Sequence, residues 1–442
     1  MRIIVLGAGH VAHALVDALH EEHDVTVIDV DGRRLEALAD RFDVRAIEGD
    51  GTSKRIVRKA GVEGADLFIG CSPREEANLV CAMLVKRMSG AQTIIRTTSA
   101  AYLEAWRERE IDVDFMVSPE LETAYAVSAL LGIPAARHTD VFADGKVQIV
   151  EFDVPPDAAH GALIGRALRD AELPADSKVA GVIRGGRLIV PRGDARILPG
   201  DRVVVIGSPD SARAWSRVAS GRPQERVNDV VIFGAGRMGT TIAGVLLERE
   251  LRVRLVDSRR ERVEEVAEAM PEVRAFHAGA FDPDFLERER IGRATAAVFC
   301  LNDDAKNLYG AILAKGHGIR MTIALVHDAV SVEVYERGGV DVAINPRQLT
   351  AEEMVRFAHD PRIRQIAMLE GDRFEILDLT VRPESELAGR PFNQLPATGS
   401  LIGAVIRDGG VLFPHSSDIL RAGDRVIIFV EAQRASVVER AL

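Results

Sequence analysis

Two short stretches of the chain combine residue types with a recognisable chemistry. The apolar run Ile3–Leu6 ends in Gly7-Ala8-Gly9-His10-Val11-Ala12, and Ile232-Phe233 leads into Gly234-Ala235-Gly236-Arg237-Met238-Gly239. Both read G-x-G-x-x-G/A, with Ala12 in the last place of the first copy. In such a loop the first glycine permits a tight turn and the second lets the backbone approach a pyrophosphate. The third small residue lets a helix pack closely on a strand. The helix that follows offers phosphate its unpaired N–H groups and the positive end of its dipole. Asp29 follows Gly7 by 22 residues, and Asp257 follows Gly234 by 23. A carboxylate at that distance accepts hydrogen bonds from both ribose hydroxyls and repels a 2′-phosphate, which favours NAD(H) over NADP(H).

The two copies differ in their polar surroundings. The first half carries Gly49-Asp50-Gly51-Thr52 and, further on, Arg96. At the repeat spacing, Asp50 falls on Gly279 and Arg96 on Leu325. The second half has instead Arg237 inside its glycine loop, where the first half has His10. A guanidinium there could pair with the terminal phosphate of ATP or ADP; it could equally be a solvated residue at a helix start. The first copy therefore reads as an NAD(H) site. The second has diverged toward another nucleotide or toward emptiness.

Little else in the chain suggests catalysis. A dehydrogenase needs a substrate domain with an acid/base residue and an anion-binding arginine, and no such constellation stands out. His327-Asp328 has no counterpart in the first half and reads as structural. Cys71 and Cys300 end fourth strands without an evident base beside them, so they read as lining residues rather than nucleophiles. Asn78 and Asn307 read as supports for the following helix or for the loop beside the ligand rather than as chemical groups. There is no G-x-S-x-G and no Cys/His cluster of metal-ligand spacing. The expectation is a binding protein, not an enzyme.

These loops sit on a repeated frame. Gly7 and Gly234 are 227 residues apart, Cys71 and Cys300 229, and Gly200-Asp201-Arg202-Val203 and Gly423-Asp424-Arg425-Val426 223. So steady an offset marks a duplication, joined near Ser220-Gly221-Arg222-Pro223-Gln224-Glu225. Ile3–Leu6, Val25–Ile28, Val44–Ile47, Leu67–Ile69 and Thr93–Ile95 read as buried parallel strands separated by helical stretches. Each half thus opens with a doubly wound, Rossmann-like α/β domain (1–135 and 226–350) and closes with a small, turn-rich α+β domain (139–223 and 363–442). With 56 Lys/Arg against 67 Asp/Glu, interleaved, the chain lacks the basic surface that nucleic acid requires. No stretch resembles a signal peptide or membrane span, so a cytosolic, soluble protein is expected, reaching a membrane only through a partner.

The tandem arrangement resembles the TrkA family, peripheral nucleotide-binding subunits of bacterial Trk potassium-uptake systems. The resemblance covers nearly the whole chain. It rests on Ile3–Gly9, on Val27-Ile28-Asp29-Val30-Asp31, on Ser118-Pro119-Glu120-Leu121, on Val340–Gln348 and on Val405-Ile406-Arg407. It implies a regulator that assembles as a homotetrameric ring of RCK-type domains beneath a membrane-embedded potassium-translocating subunit. Nucleotide binding would gate that subunit's flux. It also implies NAD contacts from Gly7, Ala8, Gly9, His10, Val11, Asp29, Ser72, Pro73 and Arg96. Where the family pattern tends to a Thr-Asn-like pair, this chain has Ser72-Pro73, and Pro73 has no N–H to donate. The competing readings are an NAD-dependent oxidoreductase and a ring that gates some other channel or antiporter.

Overall fold

The computed structural model describes residues 1–131, 133, 136–142, 146–155, 163–185, 187–220, 228–328, 331–358, 366–369, 374–392, 400–415 and 417–442. The expected join at 221–225 lies outside the described residues.

The first half opens β1 (Arg2–Leu6), α1 (His10–Leu19), β2 (Asp24–Asp29), α2 (Gly32–Ala39), β3 (Arg45–Glu48), α3 (Lys54–Lys59), β4 (Leu67–Gly70), α4 (Glu75–Ser89), β5 (Gln92–Arg96), α5 (Ala100–Arg107), β6 (Phe115–Val117) and α6 (Pro119–Leu131). The sheet order is β3-β2-β1-β4-β5-β6, with every pairing parallel. The order reverses between β1 and β4, and ligands of doubly wound sheets bind in the crevice at that point. Ile3, Ile4 and Val5 are at most 2% exposed because helices cover both faces of the sheet.

A small domain follows with β7 (Ala136–Phe142), β8 (Val147–Asp153), β9 (Ser177–Arg184), β10 (Arg187–Ile189), β11 (Arg202–Gly207) and α7 (Pro209–Ser220). Its antiparallel sheet runs β10-β9-β11-β8-β7.

The second half repeats this plan. Its parallel sheet, β14-β13-β12-β15-β16-β17, uses β12 (Asp229–Phe233), β13 (Arg252–Asp257), β14 (Arg274–His277), β15 (Ala296–Phe299), β16 (Met321–Leu325) and β17 (Val342–Ile344). The helices are α8 (Arg237–Glu248), α9 (Arg260–Ala269), α10 (Pro283–Arg288), α11 (Asp304–Gly316), α12 (Ser331–Arg337) and α13 (Pro346–Ala358). The closing domain has β18 (Ile366–Leu369), β19 (Phe374–Thr380), β20 (Ser400–Arg407), β21 (Gly410–Leu412), β22 (Arg425–Glu431) and α14 (Ala432–Ala441), in the order β18-β19-β22-β20-β21. Among the described residues no helix is long and apolar enough to cross a membrane.

The halves embrace each other. Helix α6 of the first packs on α8 of the second, and α13 of the second packs on α1 of the first. Ala124, Val127 and Leu131 share a core with Ile242, Ala243 and Leu246, while Ala12, Leu15 and Val16 share one with Ala351, Met354 and Val355. Phe115 and Phe357 stack across the same seam, 4.9 Å apart. Each glycine-loop helix is thus covered by the last helix of the other half's parallel domain. The small domains also meet. Ile149, Ile183 and Ile206 pack with Ile376, Ile427 and Phe429, and a Cβ on Gly403 would lie 2.3 Å from Cδ1 of Ile206.

Candidate functional site

Both glycine loops turn as their sequence demands. Gly7 and Gly234 have φ of +111° and +117°. A Cβ on Gly7 would stand 2.9 Å from the Ser72 nitrogen, and one on Gly234 2.9 Å from the Cys300 carbonyl oxygen. Only glycine suits both the torsion and the approach. Gly9 caps α1 and Gly236 caps α8, neither with a side-chain hydrogen bond, so the opening N–H groups of both helices face no capping side chain. A Cβ at Gly9 would meet no atom within 4 Å, which leaves the first loop open for a close ligand.

The two ribose-position carboxylates are set identically. Asp29 is 8% exposed; its Oδ2 accepts from the Ala8 N–H at 2.6 Å and its Oδ1 from the Asp31 N–H at 2.8 Å. Asp257, 6% exposed, accepts from Ala235 and Arg259 N–H groups, both at 2.8 Å. Their second-half surroundings then diverge. Arg259 Nε and Arg262 Nη1 lie 3.6 and 3.8 Å from Asp257, and Arg262 Nη1 would be 3.3 Å from a Cβ at Gly236. These arginines were not singled out in the sequence. Their signal was faint: Arg259, Arg260 and Arg262 follow the acid by two to five residues.

The remaining first-half candidates gather around β4 and β5. Asn78, wholly buried, accepts from the Ser72 N–H at 3.1 Å and donates to the Ser72 and Arg96 carbonyls at 2.9 and 3.3 Å. Asn307 ties Leu301 to Leu325 in the same way. Both therefore pin the loop after the fourth strand to the fifth. Arg96 ends β5, and its buried Nε has no hydrogen-bond partner, as has Oε2 of Glu120 nearby in α6. Asp50 is engaged locally: its Oδ1 accepts from the Thr52 N–H and hydroxyl at 2.9 and 2.8 Å, and Arg74 stands 3.6 Å away. Those bonds hold the Asp50 carboxyl below its ordinary pKa. Gly51 lets this turn approach β1, since a Cβ there would be 2.6 Å from Cδ1 of Leu6. The side chains of Val11 and Met238 pack into the cores beneath the loops.

Cys71 and Cys81 are buried and Cys300 is partly buried. Burial pushes the thiols of Cys71, Cys81 and Cys300 up to about 12. Cys71 Sγ lies 3.5 Å from the Leu6 carbonyl oxygen and Cys300 Sγ 3.3 Å from that of Phe233. They line the ends of β1 and β12.

Arg237 is largely exposed at the start of α8, yet it reaches the other half. Its Nη1 donates to Oγ1 of Thr98 at 2.8 Å, and its Nε is 4.0 Å from Oε1 of Glu120. The guanidinium leaves its own half and meets the far end of the first half's crevice. Glu75 orders that end by accepting from the hydroxyls of Thr97, at 2.6 Å, and Thr98, and from the Thr98 and Ser99 N–H groups. In the second half Asp304 takes the place of Glu75 and His327 that of Thr98. The Asp304 carboxylate accepts from the His327 N–H at 2.9 Å and pairs with its Nδ1 at 2.6 Å. His327 thus has a partner that its sequence neighbourhood did not disclose. It lines a cleft of about 630 Å³ between α1 and α13, together with His10 and Arg347.

Comparison with known proteins gives one consistent result. The TrkA-N domain family matches residues 3–119 and 230–346, and the TrkA-C domain family matches 149–218 and 376–442. A Trk system potassium uptake protein TrkA homolog of Archaeoglobus fulgidus is 32% identical over 442 residues, covering 99% of each chain. The Trk system potassium uptake protein TrkA of Halomonas elongata is 31% identical, covering 100% of this chain and 98% of its own. Among solved structures, the GsuK channel bound to NAD superposes with a TM-score of 0.61 at 18% identity, covering 100% of this chain and 78% of that one. The GsuK RCK domain gives 0.60 at 17% identity, covering 100% and 94%. Those two likenesses concern the fold.

Proposed function

We propose that this chain, which belongs to the TrkA family, is a nucleotide-sensing regulatory subunit that binds NAD(H) on its first glycine loop and gates a membrane-embedded potassium-translocating partner. The observation that carries the reading is the packing of α13 on α1 and of α6 on α8. A ligand whose pyrophosphate docks at the start of α1 pulls on a helix held by the other half, so its binding energy is available to shift the arrangement of the halves. Only a difference in affinity between two such arrangements moves their populations.

Several features support NAD(H) at the first loop. The uncapped start of α1 suits a pyrophosphate, Asp29 suits the adenosine ribose, and the orphaned Arg96 Nε suits a polar group at the far end. For the second loop we propose ATP or ADP, because Arg259 and Arg262 bring positive charge beside Asp257 and Gly236. Contacts from Gly7, Ala8, Gly9, His10, Ser72, Pro73, Gly234, Gly236 and Gly239 belong to the same reading. The names of the relatives support a Trk-type partner; a tetrameric ring at the cytoplasmic face of the membrane belongs to the same reading. The protein performs no reaction in this reading; its output is a change of shape.

Vesicles carrying a Trk-type potassium-translocating subunit, supplied with this protein, test the proposal. Potassium flux should respond to NADH or NAD⁺ with the wild type and lose that response with Asp29→Ala. Flux indifferent to both nucleotides with the wild type would sink it.

A further inference from the structure

The two glycine loops share the acid that follows them but not what surrounds it. In the first half Asp31 caps α2: its side chain accepts from the Arg33 N–H at 3.0 Å and stands 3.4 Å from Arg34 Nε. Glu48 is the neighbour of Asp29 across β3 and β2, and it lies over the start of the same helix, where a Cβ on Gly32 would be 2.9 Å from its Oε2. Asp29, Asp31 and Glu48 thus bring three carboxylates to this end of the first loop. In the second half the neighbours have changed sign. Two residues after the acid, Arg259 stands in the place of Asp31, and Ser258 in that of Val30. His277 is the neighbour of Asp257 across β14 and β13, in the place of Glu48. Two carboxylates have become a guanidinium and an imidazole, while Arg262 keeps the place of Arg34.

The retained acid does not account for the exchange. Asp257 takes the Ala235 and Arg259 N–H groups as Asp29 takes those of Ala8 and Asp31, so in both halves the carboxylate locks the turn. Without Asp31 to hold it, Arg262 turns inward: its Nη1 lies 3.8 Å from Asp257 and would be 3.3 Å from a Cβ at Gly236. Arg259 Nε stands 3.6 Å from the same carboxylate. One buried acid therefore faces two guanidinium groups, and among the described residues neither arginine pairs with any other acid. Glu261, Glu264 and Glu265 of α9 are exposed. Arg259 is also the N-cap of α9 and makes no capping hydrogen bond there. A cation at that point opposes the helix dipole, and an anion bound to it would reverse the penalty. His277 Nε2 lies 3.2 Å from the Ser258 carbonyl, which holds the imidazole beside the same turn. The side chains of Arg259 and Arg262 are 53% and 31% exposed, so a ligand can reach both.

In doubly wound nucleotide-binding domains the residues that end the second strand meet the adenosine ribose, and an arginine near them accommodates a 2′-phosphate. We propose that the second glycine loop carries a subsite for a phosphate on the 2′-oxygen of adenosine, gripped by Arg259 and Arg262 with Ser258 and His277 at its rim. The inference rests on the reading that this loop seats an adenine nucleotide, and it narrows that ligand to the class carrying a ribose phosphate, of which NADP(H) is the dinucleotide member. ATP and ADP reach the start of α8 but leave the subsite unfilled, so they are the weaker ligands. The duplication thus gives one chain two ribose ends of opposite charge, the first rejecting a 2′-phosphate and the second selecting it.

Calorimetric titration of the full chain at constant ionic strength tests the proposal, with adenosine 2′,5′-bisphosphate, its 3′,5′ isomer, AMP and ADP as probes. The 2′,5′ compound should bind about tenfold or more tighter than AMP, through charge-assisted bonds that AMP cannot make. It should also bind tighter than the 3′,5′ isomer, which carries the same charge in another place. Arg262→Ala should remove most of the advantage over AMP. The double exchange Arg259→Asp with His277→Glu copies the first half's ribose end at two exposed positions. It should abolish the preference, while circular dichroism and Tm stay those of a folded chain. Equal affinity of the wild type for the two isomers, or a preference that survives the double exchange, overturns the subsite. If ADP binds and Asp257→Ala weakens it while the 2′-phosphate adds nothing, the subsite alone falls. If no adenine nucleotide responds to Asp257→Ala or to the double exchange, the reading of the second loop as a nucleotide seat falls with it.

Discussion

Arg237 opens the helix of the second glycine loop, yet its guanidinium donates to the hydroxyl of Thr98, 139 residues earlier in the chain. The residue that distinguishes the second fingerprint therefore reaches the crevice of the first. A nucleotide that extends from Gly7 past Arg96 approaches a group from each half.

This relationship yields the first prediction. In NADH titrations, Asp29→Ala should weaken binding by roughly 10- to 100-fold, the worth of one or two hydrogen bonds to a charged acceptor. Arg237→Ala should weaken the same ligand by a smaller factor, although it lies in the other loop. Arg237 is 71% exposed and its ion pair is 4.0 Å long, so after solvent screening its contribution to stability is no more than about 1 kcal/mol. Equal NADH affinity in wild type and Asp29→Ala would remove the ribose assignment.

Gly239 should not tolerate even a methyl group. A Cβ there would sit 1.8 Å from the Gly234 carbonyl oxygen, a backbone atom with nowhere to go. Gly239→Ala should cost about 1–3 kcal/mol or more in denaturant melts, as overpacking does. The first half already accommodates Ala12 at the matching position, where it is fully buried. Ala12→Gly should instead cost about 1 kcal/mol, from helix propensity and a lost buried methyl rather than from a clash.

A pH dependence arises in the last domain. Asp424 is 2% exposed and takes both Arg407 Nε, at 2.7 Å, and Nη2, at 2.6 Å. Burial alone would raise its pKa, but Arg407 and the Arg421 N–H more than reverse that, and the net shift is downward. A carboxyl with a depressed folded pKa adds stability that is present above its unfolded value, about 3.9, and lost as pH falls through the folded one. Tm should thus drop more steeply below about pH 4 in the wild type than in Asp424→Asn. At pH 7 that variant should be less stable by about 2–4 kcal/mol, since Arg407 loses its partner. A flat difference between the two from pH 7 to 2 would contradict this account.

The thiols offer a simple check on packing. With pKa values near 12, Cys71, Cys81 and Cys300 should give no colour with a disulfide reagent at pH 8 in the native chain. All three should react after denaturation. A fast-reacting native thiol would show that the loop after β4 or β15, or helix α4 around Cys81, opens.

Much of this architecture was legible in the amino-acid order. The duplication, the paired glycine loops and the acids that follow them are local patterns, and local torsion and hydrogen bonding alone dictate what they form. Gly7 must turn with positive φ whatever surrounds it, and Asp29 must end its strand beside Ala8. The central parallel strands announce themselves as apolar runs because both their faces are covered. The sixth strands did not: Phe115–Val117 and Val342–Ile344 are three residues long, too short to display a period. With them went α6 and α13, and so the partners of the glycine-loop helices. The small domains' β7 and β8 were missed as well. Which half Arg237 serves, why His327 needs Asp304, and how His10 comes to share a cleft with Arg347 were decided by tertiary packing alone. Those pairings join residues up to 337 positions apart. They exist because the apolar faces of α1, α6, α8 and α13 bury one another, and burial is indifferent to sequence distance.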